Sequence, residues 1–109
     1  MAKERIRKAI SFLEKSLKES GVRISQIILF GSQTKGTATG ESDIDVVILS
    51  EDFEGKDIFE RARLTKDAEI KTLKKFMIPL EIITMTPKEW KKGNSLIVEF
   101  AREGEVFYG

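Results

Sequence analysis

The stretch Ile27-Ile28-Leu29-Phe30-Gly31-Ser32-Gln33-Thr34-Lys35-Gly36, followed shortly by Ser42-Asp43-Ile44-Asp45-Val46-Val47-Ile48-Leu49, decides how this chain folds. Two apolar runs rich in β-branched residues read as strands. Only residues 31–42 join them. A parallel connection takes a crossover of about a dozen residues or more, usually a full helix, so this short glycine-containing link predicts an antiparallel pair. At most one helical turn fits between them.

Working outward, Ile6, Ile10, Leu13 and Leu17 keep helical spacing and Gly21 stands where such a helix would be capped, which predicts a helix over 3–20. The first strand is expected over 24–30 and the second over 44–49. From Lys56 to Phe76 the apolar positions Phe59, Ala62, Ile70, Leu73 and Met77 form a stripe, interrupted by Lys66, that is expected to face the core. Pro79 ends that helix. Residues 80–85 then make a third strand, parallel to the second through a right-handed crossover. Thr86-Pro87-Lys88-Glu89 has the hydroxyl, proline and glutamate of a helix start, announcing a short helix that carries Trp90. Asn94 or Ser95 caps another, with Leu96, Ile97, Phe100 and Ala101 inward and Gly104 at its end. Residues 105–108 are expected as an edge strand. The expected architecture is one α/β (α+β) domain over residues 1–109, a small mixed β-sheet with helices packed on it.

Composition removes whole branches of chemistry. The 109 residues include no Cys and no His. Thiol catalysis, disulfide frameworks, ordinary zinc sites and Ser-His-Asp triads all need residues that are missing. Catalysis here must rest on carboxylates, cations, hydroxyls and a metal that prefers oxygen. A net charge of +1 offers little long-range attraction to nucleic acid, so duplex DNA or RNA is not an expected partner. No apolar run approaches the ~20 residues that span a bilayer, and the N-terminal residues lack a secretory signal's apolar core, so a cytoplasmic address is expected.

Three groups of residues carry chemistry. Gly31 at the mouth of a strand lets backbone approach a ligand closely, and a helical turn starting at Ser32 would aim free N–H groups at an anion, with the Ser32 hydroxyl and the Lys35 ammonium in support. Ordinary turn chemistry is the competing reading. The P-loop pattern fails because Thr37 follows Gly36, and an EF-hand fails because Val46, Val47 and Ile48 follow Asp45. Asp43 and Asp45, two apart in a strand, share a face and lie roughly 6.6 Å apart along it. Their oxygens either converge on a cation or sit at a solvent-exposed strand start. Glu81 opens the third strand amid Leu80, Ile82 and Ile83, and is either an exposed edge acid or the third carboxylate of a site. Asp52 and Glu54 are weaker candidates. Trp90, Phe100, Phe107 and Tyr108 are expected to close the core, and Lys74-Lys75 and Lys91-Lys92 to be solvated.

Taken together, Gly31-Ser32, Lys35-Gly36, Ser42-Asp43-Ile44-Asp45 and the later Glu81 resemble the minimal nucleotidyltransferases of the polymerase-β-like and kanamycin nucleotidyltransferase superfamily. The resemblance covers nearly the whole chain and implies the palm-like nucleotidyltransferase fold. It implies that Asp43, Asp45 and Glu81 bind Mg²⁺, two ions in all, and carry catalysis. It also implies that Gly31, Ser32, Lys35, Gly36 and Ser42 hold the nucleoside triphosphate. The implied reaction moves a nucleoside monophosphate, AMP from ATP, to a hydroxyl. Single-domain members work as antitoxins on a tyrosine of a separate helical HEPN protein, so such a partner is implied as well. Lys35 stands at the usual arginine position, without its two-toothed fork, and Glu81 stands where Asp is usual. The alternative in a different class is a nucleotide-binding or partner-neutralising module whose chemistry has lapsed. Homo-oligomerisation through sheet edges is left open.

Overall fold

The computed structural model describes residues 2–30, 44–93 and 105–108. Helix α1 (Ala2–Glu19) leads into β1 (Gln26–Phe30) and β2 (Ile44–Leu49). A 3₁₀ turn (Glu51–Phe53), α2 (Ile58–Phe76), β3 (Leu80–Met85), α3 (Pro87–Lys92) and β4 (Glu105–Tyr108) follow. The two runs that opened the reading pair antiparallel, from Gln26 opposite Leu49 to Phe30 opposite Asp45. β3 adds in parallel to β2, with Ile44 beside Leu80 and Leu49 beside Met85, and α2 is the crossover. β4 pairs antiparallel with β1, so the sheet is mixed and runs β3-β2-β1-β4.

Strand alternation divides the buried side chains between two faces. Ile27, Leu29, Val46 and Ile48 join Ile6, Ala9, Ile10, Leu13 and Leu17 of α1, with Phe53 and Ala68, in the main core. Each large side chain buried there stabilises the fold by about 1.5–3 kcal/mol relative to exposure. Ile28, Val47 and Leu49 point the other way and pack with Ile83, Met85 and Trp90. The α1 stripe is as expected, with Ala9 added, and Gly21 takes the left-handed φ of +95° that ends the helix.

Helix α2 is rotated from its expected orientation. Phe59, Ala62, Ile70, Leu73 and Met77 are exposed, and the buried positions are Thr65, Ala68 and Thr72, with Leu64 and Phe76 half-buried. The physical reason lies in α1. Its large side chains already fill the space over the sheet, so the helix packed against it presents small residues there. The buried hydroxyls cost little, because Thr72 Oγ1 donates to the Ala68 carbonyl at 2.7 Å and Thr65 Oγ1 to the Ala62 carbonyl at 3.2 Å. The edge ring contact of Phe12 with Phe76 and the bond from Arg5 to the Phe76 carbonyl tie the two helices together.

Element ends also moved. β1 begins at Gln26, two residues later than expected. α2 begins at Ile58 because Asp57 and Glu60 form a reciprocal capping box, Asp57 Oδ1 accepting from the Glu60 N–H at 2.8 Å. It ends at Met77, in the left-handed region at φ 56°, whose N–H donates to the Leu73 carbonyl, so the stop comes two residues before Pro79. The Thr86–Glu89 capping box with Pro87 at the first helical position is as expected. The expected helix after Asn94 lies outside the described residues.

Candidate active site

Asp45 and Glu81 are neighbours. Each is the second residue of its strand, and the parallel register sets them side by side. Their side chains leave the sheet on the face of Val47, Leu49, Ile83 and Met85, opposite α1 and α2. Adjacent strands are about 4.8 Å apart, so the two acids leave one sheet face from neighbouring backbone positions. Asp45 is half-buried and Glu81 exposed. On its other side Asp45 faces Phe30, the residue from which the chain departs into 31–43, and Ile44 is where it returns. Both tether points of that segment therefore stand at the sheet end that carries the two acids.

Like charges at this spacing repel, and a divalent cation between them removes the repulsion. Their donor atoms are hard oxygens, and the chain contains no His or Cys, so the pair suits Mg²⁺ and not a soft metal. Among the described residues no three acids cluster as a metal-binding group. Asp43, the third acid that the sequence placed here, lies outside the described residues, as do Gly31, Ser32, Lys35, Gly36 and Ser42.

The weaker candidates belong elsewhere. Asp52 sits past the opposite end of β2, where Arg23 bonds it from the guanidinium at 2.9 and 3.2 Å and from the backbone N–H at 2.7 Å. The bond to the Arg23 side chain holds its carboxyl below the ordinary range. Ser50 completes the joint, its hydroxyl donating to the Arg23 carbonyl and accepting from the Asp52 N–H. Glu54 is exposed nearby. Both are features of the turn, not of the acid pair. Trp90 packs against the core, as expected.

Sequence reading missed one half-buried cation. Arg61 of α2 donates two guanidinium bonds to Glu89 of α3, at 2.9 and 3.1 Å, and one from Nε to the Lys56 carbonyl at 3.0 Å. It lies over the Phe53 ring at 5.9 Å. Glu89 is held below the ordinary carboxylate range chiefly by that guanidinium. Nothing local could have revealed a pairing across 28 positions.

Known proteins resemble this chain along nearly its whole length. The model of the nucleotidyltransferase domain family matches residues 4–105. A Methanocaldococcus jannaschii protein named as a protein adenylyltransferase is 28% identical over 99 residues, covering 89% of this chain and 67% of its own. The crystal structure of a toxin-antitoxin with AMP-PNP shares the fold with a TM-score of 0.66 at 20% identity, over 94% of this chain and 73% of that one.

Proposed function

This chain belongs to the nucleotidyltransferase domain family and is a nucleotidyltransferase, and we propose that it moves AMP from ATP to a tyrosine hydroxyl on a helical HEPN-type partner protein, as an antitoxin does. The observation that carries the reading is the register that sets Asp45 beside Glu81 at the sheet end where segment 31–43 is tethered. The adenylyltransferase name of the archaeal relative and the AMP-PNP of the toxin-antitoxin structure support the nucleotide and the kind of partner. Residues 1–109 act as one catalytic domain, and with ATP as donor the place of work is the cytoplasm.

Asp43, Asp45 and Glu81 hold two Mg²⁺ ions. When bound, these supply Lewis-acid stabilisation of the charge that develops on the phosphate oxygens. Gly31 and Gly36 leave room for the triphosphate to lie against backbone, while the Ser32 and Ser42 hydroxyls and the Lys35 ammonium bind its oxygens. Glu81, the exposed member of the pair, takes the proton of the acceptor hydroxyl. The acceptor oxygen forms a bond to the α-phosphorus as the bond from that phosphorus to the α–β bridging oxygen breaks. Pyrophosphate leaves with the electron pair, and AMP remains esterified to the acceptor.

Intact-mass spectrometry tests this on the chain co-expressed with a small all-helical HEPN-type protein. The partner should gain the mass of AMP, and the Asp43→Asn/Asp45→Asn variant should abolish the gain. A partner without added nucleotide in the wild-type pair overturns the reading. ATP binding by calorimetry without pyrophosphate release would identify a lapsed binding module instead.

A further inference from the structure

The outer face of α2 is an apolar seam that nothing in the described residues covers. Phe59 and Met77 are each 74% exposed, Leu73 is 42% and Ile70 is 38% exposed, and Ala62 is exposed as well. With Lys66 they occupy positions 59, 62, 66, 70, 73 and 77, steps of three and four that fall on one line along a helix. Thr65, Ala68 and Thr72, the buried positions, lie on the opposite side. At 1.5 Å per residue the seam is about 27 Å long. Contiguous apolar surface of this kind on a small soluble fold marks an interaction site. Met77 strengthens the case, since it holds a left-handed conformation that glycine adopts more cheaply while its side chain is mostly solvent-exposed.

Charge identifies the occupant. Lys66 stands on the seam and Arg63 and Lys74 flank it on one side by about 60–80°, all three exposed and none in an ion pair among the described residues. Glu69 flanks the other side by about 60°, and Asp67 and Glu60 project further round behind Arg63 and Lys74, so cations outnumber acids along the seam. We propose that this face docks an amphipathic helix of a separate protein, one with apolar residues at the same three-and-four spacing and carboxylates flanking them. A second copy fits badly, because antiparallel pairing about a two-fold axis sets each flank against its own copy, Arg63 and Lys74 against Arg63 and Lys74 and Glu69 against Glu69, like charge against like. The purpose of the docking rests on the protein acceptor proposed above. α2 covers the sheet face opposite Asp45 and Glu81, and its own diameter is about 10–12 Å, so the docked helix is a handle. The reactive hydroxyl then belongs to another part of the partner, reaching the far face.

The test uses two synthetic helical peptides with identical leucine seams at this spacing, one flanked by Glu and the other by Lys, titrated into the full chain by fluorescence anisotropy. The Glu peptide should bind about tenfold tighter or better, and high salt should erase the advantage. Ile70→Ser/Leu73→Ser should weaken binding about tenfold, and Arg63→Glu/Lys66→Glu/Lys74→Glu should reverse the preference. Met77→Gly should raise the Tm while weakening the peptide. These side chains are exposed, and circular dichroism and an unchanged ATP titration should show that each variant folds. Absence of binding, or equal binding of both peptides, overturns the proposal. So does a dimer in sedimentation that Leu73→Ser dissolves, since a second copy would then be the occupant. Because ATP binding is read separately, loss of docking with intact AMP transfer sinks this proposal alone. Docking without transfer sinks the catalytic reading alone.

Discussion

The β2–β3 pair has carboxylates at both ends, and the fold treats them differently. Past the far end, Asp52 and Glu89 each have both oxygens engaged by arginine or backbone donors, and both carboxyls lie below their ordinary range because of Arg23 and Arg61. At the near end, Asp45 and Glu81 stand against each other, and the described residues form no ion pair with Glu81. The far-end acids are each bound by an arginine. Two acids side by side on neighbouring strands make a place where a divalent cation can bind.

That contrast can be broken from either end. The largest effect should come from Asp45→Asn, which should lower AMP transfer by about a thousandfold or more and abolish the Mg²⁺ dependence of ATP binding. Its Tm should stay within a few degrees of wild type, because Asn keeps the size and hydrogen-bonding capacity of the side chain; a large fall in Tm would make Asp45 structural. Glu81→Gln should cost about ten- to a hundredfold in transfer with stability changed by no more than about 0.5 kcal/mol. Glu81→Asp should retain most of the activity, which pyrophosphate release would report.

At the other end, Arg61→Ala should destabilise by about 1–2 kcal/mol, a value discounted because Glu89 is 45% exposed. In calorimetry that is a Tm drop of about 5–10 °C. Transfer below the transition should remain within about twofold, since no reacting group is touched. The smallest effect is in pH. Asp52 and Glu89 titrate lower folded than unfolded. Their stabilisation is therefore complete above the unfolded carboxylate range of about 4–4.5 and is lost as pH falls through the depressed folded values. Melting curves should show Asp52→Asn/Glu89→Gln a few degrees below wild type at neutral pH, with the gap closing in acid. A gap that persisted at low pH would mean that packing, and not charge, makes these joints.

Much of this was legible beforehand. The hairpin, the parallel third strand, the edge strand and the capped short helix follow from patterns within a few residues of each other. The rotation of α2 was not legible, because its sequence offers two stripes of helical period and size alone favours the wrong one. Phe59, Ile70 and Leu73 outweigh Thr65, Ala68 and Thr72 in any count of apolar residues, yet α1 admits only the small set. Of the acids read as a site, Asp45 and Glu81 are brought together by a register that no local pattern encodes.

Sequence by itself determined the strands and helices of the described residues, the restriction to oxygen-ligand chemistry and the identity of the candidate acids, because spacing and side-chain type act locally and need no knowledge of neighbours. Tertiary structure alone decided which acids meet, which are neutralised by arginine, and which face of α2 looks outward. Those outcomes depend on how far one strand slides past another and on how much room one helix leaves for the next, and packing fixes both only once the distant parts of the chain have come together.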